Sequence, residues 1–154
     1  MSAPKQIPPL PGSQVLTRSL LSCITGSLSV IASSGIIYLI LSDWKNKISR
    51  VRNRILLGLS IFDFILSTAL ALTTIPVPKG TRNAAWAMGN SASCTTQGFF
   101  IQLGFAAILY NGSLAIYYLL TIHYRKQDRW IRQKLEIFLH VIPICFGLLT
   151  ATIS

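Results

Sequence analysis

The sequence predicts an all-α, multi-pass transmembrane helical bundle with four spans. Three observations lead there. Apolar residues make up 51% of the 154 positions, while only 14 side chains are basic and 4 acidic. The mean hydropathy, +0.54, is high for a soluble domain of this size. The charges also fall into short clusters between long stretches that carry almost none. A backbone in lipid must satisfy its hydrogen bonds within its own helix, and a span needs about 20 apolar residues.

The first helix is expected at about residues 16–42. Before it, residues 1–15 form a tail rich in Pro and polar groups, with Pro4, Pro8, Pro9 and Pro11 opposing helix formation. The second helix is expected at about 53–76, stopped by Pro76 and Pro78. The third runs from about 93 to 124. At 1.5 Å per residue it would be about 48 Å long, so it must tilt or project from the bilayer. The fourth spans about 134–154, with Pro143 as a kink position.

Loop charge gives the orientation. Lys45, Lys47, Arg50, Arg52 and Arg54 follow the first helix, and Arg125, Lys126, Arg129, Arg132 and Lys134 follow the third. The tail has Lys5, with Arg18 at its membrane edge, and the loop between the second and third helices has Lys79 and Arg82. The two basic loops are therefore expected inside and the N-terminus outside. Trp44, Trp86 and Trp130 fall at expected membrane interfaces. The formal net charge of +10 is accounted for by these flanking residues and not by a nucleic-acid surface.

No catalytic constellation is visible, and neither an enzyme nor a cofactor is expected. His123 and His140 have no carboxylate or cysteine at metal-ligand spacing. Cys23 and Cys145 lie inside apolar segments and read as packing residues. So do the small residues Ser22, Gly26, Ser29, Ser33 and Gly35 of the first helix, which let helices approach closely.

The informative residues are polar groups inside the spans. Asp63 is the acidic residue within an apolar segment, where a carboxylate costs about 2.5–3.5 kcal/mol on insertion scales. Ser60, Asp63, Ser67 and Thr74 share a helix face. Three readings stand: a carboxyl group that only glues helices, a switch or ion-binding carboxylate, or a side chain that faces lipid. On the third helix Gln97, Gly104, Asn111 and Tyr118 recur every seven residues, with Ser113 near. They read as interhelical glue or as a ligand or water contact.

Two segments resemble rhodopsin-like G-protein-coupled receptors. Asn53, Leu56, Leu59, Ser60 and Asp63 fit the spacing of the second receptor helix. Trp86, Gly89 and Cys94 resemble the first extracellular loop, where Trp and Gly precede the cysteine that opens the third helix; one extra residue separates Gly89 from Cys94. The third helix departs from that pattern. It carries His123-Tyr124-Arg125 in place of Asp-Arg-Tyr, and its Leu-Ala-Ile-Tyr-Tyr-Leu-Leu-Thr-Ile stretch is similar to cyclic-AMP-receptor-like proteins of microbial eukaryotes. The first helix lacks the usual Asn and the fourth the usual Trp.

The resemblance implies the first four helices of a seven-helix receptor fold, truncated at Ser154. It implies an extracellular ligand of unknown identity, a heterotrimeric G-protein partner and a plasma-membrane location. Asp63, Ser60, Ser67 and Asn111 would form an intramembrane polar switch. Cys94 would pair with a cysteine beyond Ser154. His123, Tyr124 and Arg125 would belong to the cytoplasmic coupling surface, although topology and attraction to anionic lipid account for the basic residues equally well. The alternative is a self-contained four-helix membrane protein or part of a transporter.

Overall fold

The computed structural model describes residues 12–81 and 84–153. Its helices are α1 (Gly12–Leu41), α2 (Trp44–Lys47), α3 (Val51–Ala71), α4 (Ser91–Gly104), α5 (Ala106–Tyr118), α6 (Asp128–Lys134) and α7 (Glu136–Ile153), with a π-helical turn, Leu119–His123, after α5. There is no strand among the described residues, only an isolated bridge between Pro78 and Gly89. Four helical stretches are long and apolar enough to cross a membrane: Gly12–Leu41, Val51–Ala71, Ser91–His123 and Glu136–Ile153. The chain is an all-α multi-pass membrane protein.

Several boundaries differ from those expected, each for a physical reason. The first helix begins at Gly12, so the last part of the expected tail is helical; the rest of the tail, residues 1–11, lies outside the described residues. Proline restricts itself and the residue before it, not those that follow. The second span begins at Val51 and stops at Ala71, ahead of residue 76. Pro76 has no N–H and its ring would clash with the carbonyl four residues back, so the helix unwinds before that point. Thr73 there takes a left-handed φ of 50°. The chain then turns through short bonds, Ile75 N–H to Leu72 O at 3.1 Å and Val77 N–H to Thr74 O at 3.0 Å.

The third span starts at Ser91, where Asn90 and Ser93 form a reciprocal cap: the Asn90 side chain accepts from Ser93 N–H at 2.8 Å and Ser93 Oγ accepts from Asn90 N–H at 2.8 Å. It is interrupted at Phe105, where the N–H groups of Phe105 and Ile108 bond three residues back at 3.0 and 3.1 Å. That tighter winding changes the inward face. After Gly104 it is carried by Ala106, Ala107, Tyr110 and Ser113, while Asn111 and Tyr118 of the expected seven-residue stripe point outward and are exposed. The fourth span starts at Glu136 and is preceded by the separate helix α6, with Leu135 between them at φ −120°.

The second span is the centre of the bundle. It packs against α1 on one side and against α4 and α5 on the other, and α7 packs on the third span. The α1 seam is made of residues seven apart: Ser19, Gly26, Ser33 and Ile40 are its buried positions. A Cβ at Gly26 would lie 2.9 Å from Ala71 N and 3.0 Å from Ala71 Cβ. A Cβ at Gly104 would lie 2.5 Å from Leu66 Cβ. These glycines let backbones approach where hydrophobic burial gives no gain, because lipid is as apolar as a side chain. The outward faces carry Leu21, Leu28, Ile31, Ile108, Phe138 and Leu149, all exposed to the lipid side. The aliphatic and aromatic core near one end gathers Val51, Ile55, Tyr110, Ile131 and Leu139.

Pro143, fully buried inside α7, leaves the carbonyl of Leu139 without its helical donor. Ser113 Oγ of α5 donates to that oxygen at 2.9 Å. The third span thus supplies the bond that proline removes from the fourth.

Two outcomes check this packing. Gly26→Leu should destabilise the folded protein by about 1–3 kcal/mol in detergent unfolding, whereas Gly35→Leu, where a Cβ meets nothing within 4 Å, should be neutral. Ser113→Ala should cost about 0.6–1.7 kcal/mol in the native background, and less in a Pro143→Ala background that restores the backbone donor. Equal losses in both backgrounds would refute the link between Ser113 and the proline.

Candidate functional site

Asp63 sits near the middle of the second span, well inside the hydrocarbon depth. Its partners come from α1. Ser29 Oγ donates to Asp63 Oδ2 at 3.1 Å, and Ser33 Oγ donates to the same oxygen. Ser33 is buried in the seam and Ser29 and Asp63 are half-buried. Two hydroxyl donors on one carboxylate oxygen satisfy a group that lipid cannot. The arrangement holds the first and second spans in one register, and its loss frees both serines.

The other residues expected in this constellation are placed differently. Ser60 is buried and shares the helix with Asp63, but its Oγ donates back to Leu56 O at 2.9 Å. Ser67 is buried farther along α3. Asn111 is exposed on α5 and is not brought to Asp63. The residues that do meet the carboxylate, Ser29 and Ser33, read in sequence only as small packing residues. Their four-residue spacing was the available signal. It fixes a shared face but not which neighbour that face meets.

A second polar staple closes the end of the bundle nearest Cys94. Gln97 Nε2 donates to Ala69 O and to Thr73 O, each at 2.8 Å. Those carbonyls lie where α3 ends and have no helical donor of their own. Ser22 Oγ of α1 donates to Leu70 O at 3.2 Å. Beyond them the connecting loop folds back on the helix. Met88 N–H bonds Ile75 O at 3.1 Å, Gly89 N–H bonds Val77 O at 3.0 Å, and Ser93 Oγ donates to Pro76 O at 2.7 Å. A Cβ on Gly89 would collide with the Pro76 carbonyl, which explains glycine there. Trp86 is held at φ 58° with its ring exposed. Cys94 is half-buried at the start of the third span and carries a free thiol.

Two cavities flank Gln97. One, about 530 Å³, lies between α3 and α4 and is walled mainly by Phe64, Ile65, Leu72, Pro76 and Phe100. The other, about 330 Å³, lies between α1 and α3 and includes Arg18, Ser19, Ser22 and Thr74. Both border the residue that holds the end of α3.

The basic end has its own network. Arg54 Nη1 lies 2.7 Å from Glu136 Oε1, the one ion pair among the described residues, and it ties the second span to the fourth. Arg54 Nε also donates to Ile48 O at 2.6 Å, and Asn53 Nδ2 donates to Lys47 O at 2.8 Å. Asp128 bridges three segments: its Oδ1 accepts from the Tyr117 hydroxyl at 3.0 Å and its Oδ2 from Val51 N–H at 3.4 Å. Arg50, at the N-cap of α3, offers no side-chain acceptor, so a carboxylate from another segment serves the first N–H of that helix. The expected coupling residues His123, Tyr124 and Arg125 are all exposed at the end of the π-helical turn, where Arg125 takes a φ of 49° and ends the span. His140 lies inside the fourth span, its Nδ1 3.1 Å from the Tyr110 hydroxyl.

The fold and these polar staples define a multi-pass helical membrane protein. No protein-family model matches the chain, and no curated protein or solved structure matches it.

The Asp63 site makes a sharp prediction. A double-mutant cycle between Asp63→Asn and Ser33→Ala, read by unfolding in detergent, should give a coupling energy of about 0.6–1.7 kcal/mol. The same cycle between Asp63→Asn and Asn111→Ala should give none. Coupling to Asn111 in place of Ser33 would overturn this seam between α1 and α3.

Proposed function

We propose that this chain forms the first four helices of a seven-helix receptor of the G-protein-coupled type, one that diverges toward the receptor-like proteins of microbial eukaryotes. The N-terminus and the Cys94 end face outward and the basic end faces the cytoplasm, because Lys and Arg concentrate in the loops that stay inside. The membrane is the plasma membrane, where an extracellular ligand can be met.

Asp63 is the observation that carries this reading. A carboxylate held at mid-span by two serines of the neighbouring helix is costly as inert packing and useful as a two-state element. A ligand entering one of the cavities beside Gln97 would favour one packing of α1 on α3 over another. The change would reach the far ends of the same helices, where the Arg54–Glu136 pair and the exposed His123, Tyr124 and Arg125 lie. These residues and the adjoining basic loop would meet the G protein. Cys94, on the outer and oxidising side, would pair with a cysteine of a later outer loop.

The test starts with the transcript. Sequence downstream of Ser154 should encode three more spans and an outer-loop cysteine; a stop codon at that point would sink the receptor and leave a four-helix membrane protein. The full chain should then stimulate nucleotide exchange on a heterotrimeric G protein in a ligand-dependent way. Asp63→Asn should reduce that ligand response about fivefold or more. An unchanged response would remove Asp63 from the switch.

A further inference from the structure

Arg50 and Arg52, at the start of α3, line a cavity of about 360 Å³. The opposite wall is the end of the third span, with Tyr118, Thr121 and Ile122. Tyr117 and Asp128 close the floor, and their mutual hydrogen bond, with that from Val51 N–H to Asp128, holds the walls together. Neither arginine has a carboxylate within ion-pair distance among the described residues, since the one ion pair there is Arg54–Glu136. Arg52 Nε reaches only the neutral Asn53 Oδ1, at 3.3 Å. Asp128 lines the cavity, but its oxygens accept from Tyr117 and Val51. Two arginines against one carboxylate leave the cleft with a single net positive charge.

Its depth matters as much as its charge. Val51 is the first residue of one span and His123 the last of another, so the cleft lies at the border between hydrocarbon and headgroups. Ile122, on its rim, is 73% exposed and faces the lipid side. We infer that this cleft binds one anionic phospholipid. Arg50 and Arg52 hold the phosphodiester oxygens, for which the planar guanidinium is suited. The acyl chains run along Leu119 and Ile122. A zwitterionic lipid brings the same phosphodiester with a headgroup ammonium that the arginines repel, whereas a lipid of net charge −1 neutralises the cleft. The site does not depend on the receptor reading or on which way the chain faces.

The full chain would be placed in phosphatidylcholine nanodiscs containing a small fraction of phosphatidylglycerol, and retained lipid counted by native mass spectrometry after release. The wild type should retain one phosphatidylglycerol. R50Q/R52Q should lower its retention by about tenfold, while K45Q/R132Q, which removes the same charge from exposed positions outside the cleft, should change it by less than about twofold. Equal losses in the two pairs would overturn the site in favour of diffuse attraction to the basic end. Retention of inorganic phosphate in phosphatidylcholine-only discs, with no preference for phosphatidylglycerol, would also overturn it, because the occupant would then be a soluble anion. If R50Q/R52Q fails to fold, R50K/R52K decides: it keeps the charge and loses the fork, so retention should fall, and unchanged retention would refute the arginine site.

Discussion

A polar group inside hydrocarbon must find its partner within the protein, and the bundle is arranged around meeting that requirement. Hydrophobic burial does not drive these helices together, since lipid satisfies apolar side chains equally well. Three contacts between spans show what replaces it. Ser29 and Ser33 of the first span serve Asp63 of the second. Gln97 of the third serves two carbonyls at the end of the second. Ser113 of the third serves the carbonyl that Pro143 leaves open in the fourth. Each consecutive pair of spans is joined by at least one such bond, and glycines at Gly26 and Gly104 bring the backbones close enough for short side chains to reach.

The two ends of the bundle meet the same requirement in different ways. At the Cys94 end the loop returns over the unwound end of α3 and donates through Ser93, Met88 and Gly89. At the basic end the work passes to charged side chains, which water can also reach. Glu136 pairs with Arg54, and Asp128 joins Tyr117 to the first N–H of α3. Only four acidic residues occur in the chain, and two of them are used to lock this end. Most of the basic residues at this end have no carboxylate partner among the described residues, which leaves the end strongly positive and suited to an anionic surface.

The helical class and the number of spans were legible because they follow from length and hydropathy, which need no partner to define them. The end of the second span was legible in part through Pro76, a local effect, although the helix stops earlier, at Ala71; the Asn90–Ser93 cap that opens the third span was not read from the sequence. The face of the third span was not. A strict seven-residue reading placed Asn111 with Gln97 and Gly104, and the interruption at Phe105 turned it outward. Nothing in the apolar run around Phe105 signals that tighter winding, since both halves of the span pack against the same two helices. The Asp63 site was half legible. The carboxylate announced itself as a charge in an apolar segment, but Ser60 and Ser67, chosen for sharing its helix face, proved not to be its hydrogen-bond partners.

The sequence by itself determined that this chain lives in a membrane, which segments cross it, and that one carboxylate lies at mid-depth. Those properties depend on the free energy of single segments in water and in lipid. The tertiary structure alone decided that Ser29 and Ser33 meet Asp63, that Ser113 serves the carbonyl that Pro143 leaves open, and that Arg50 and Arg52 face the end of the third span across a cleft. Those pairings depend on which faces of separate helices touch, and helical periodicity fixes a face without naming the neighbour it meets.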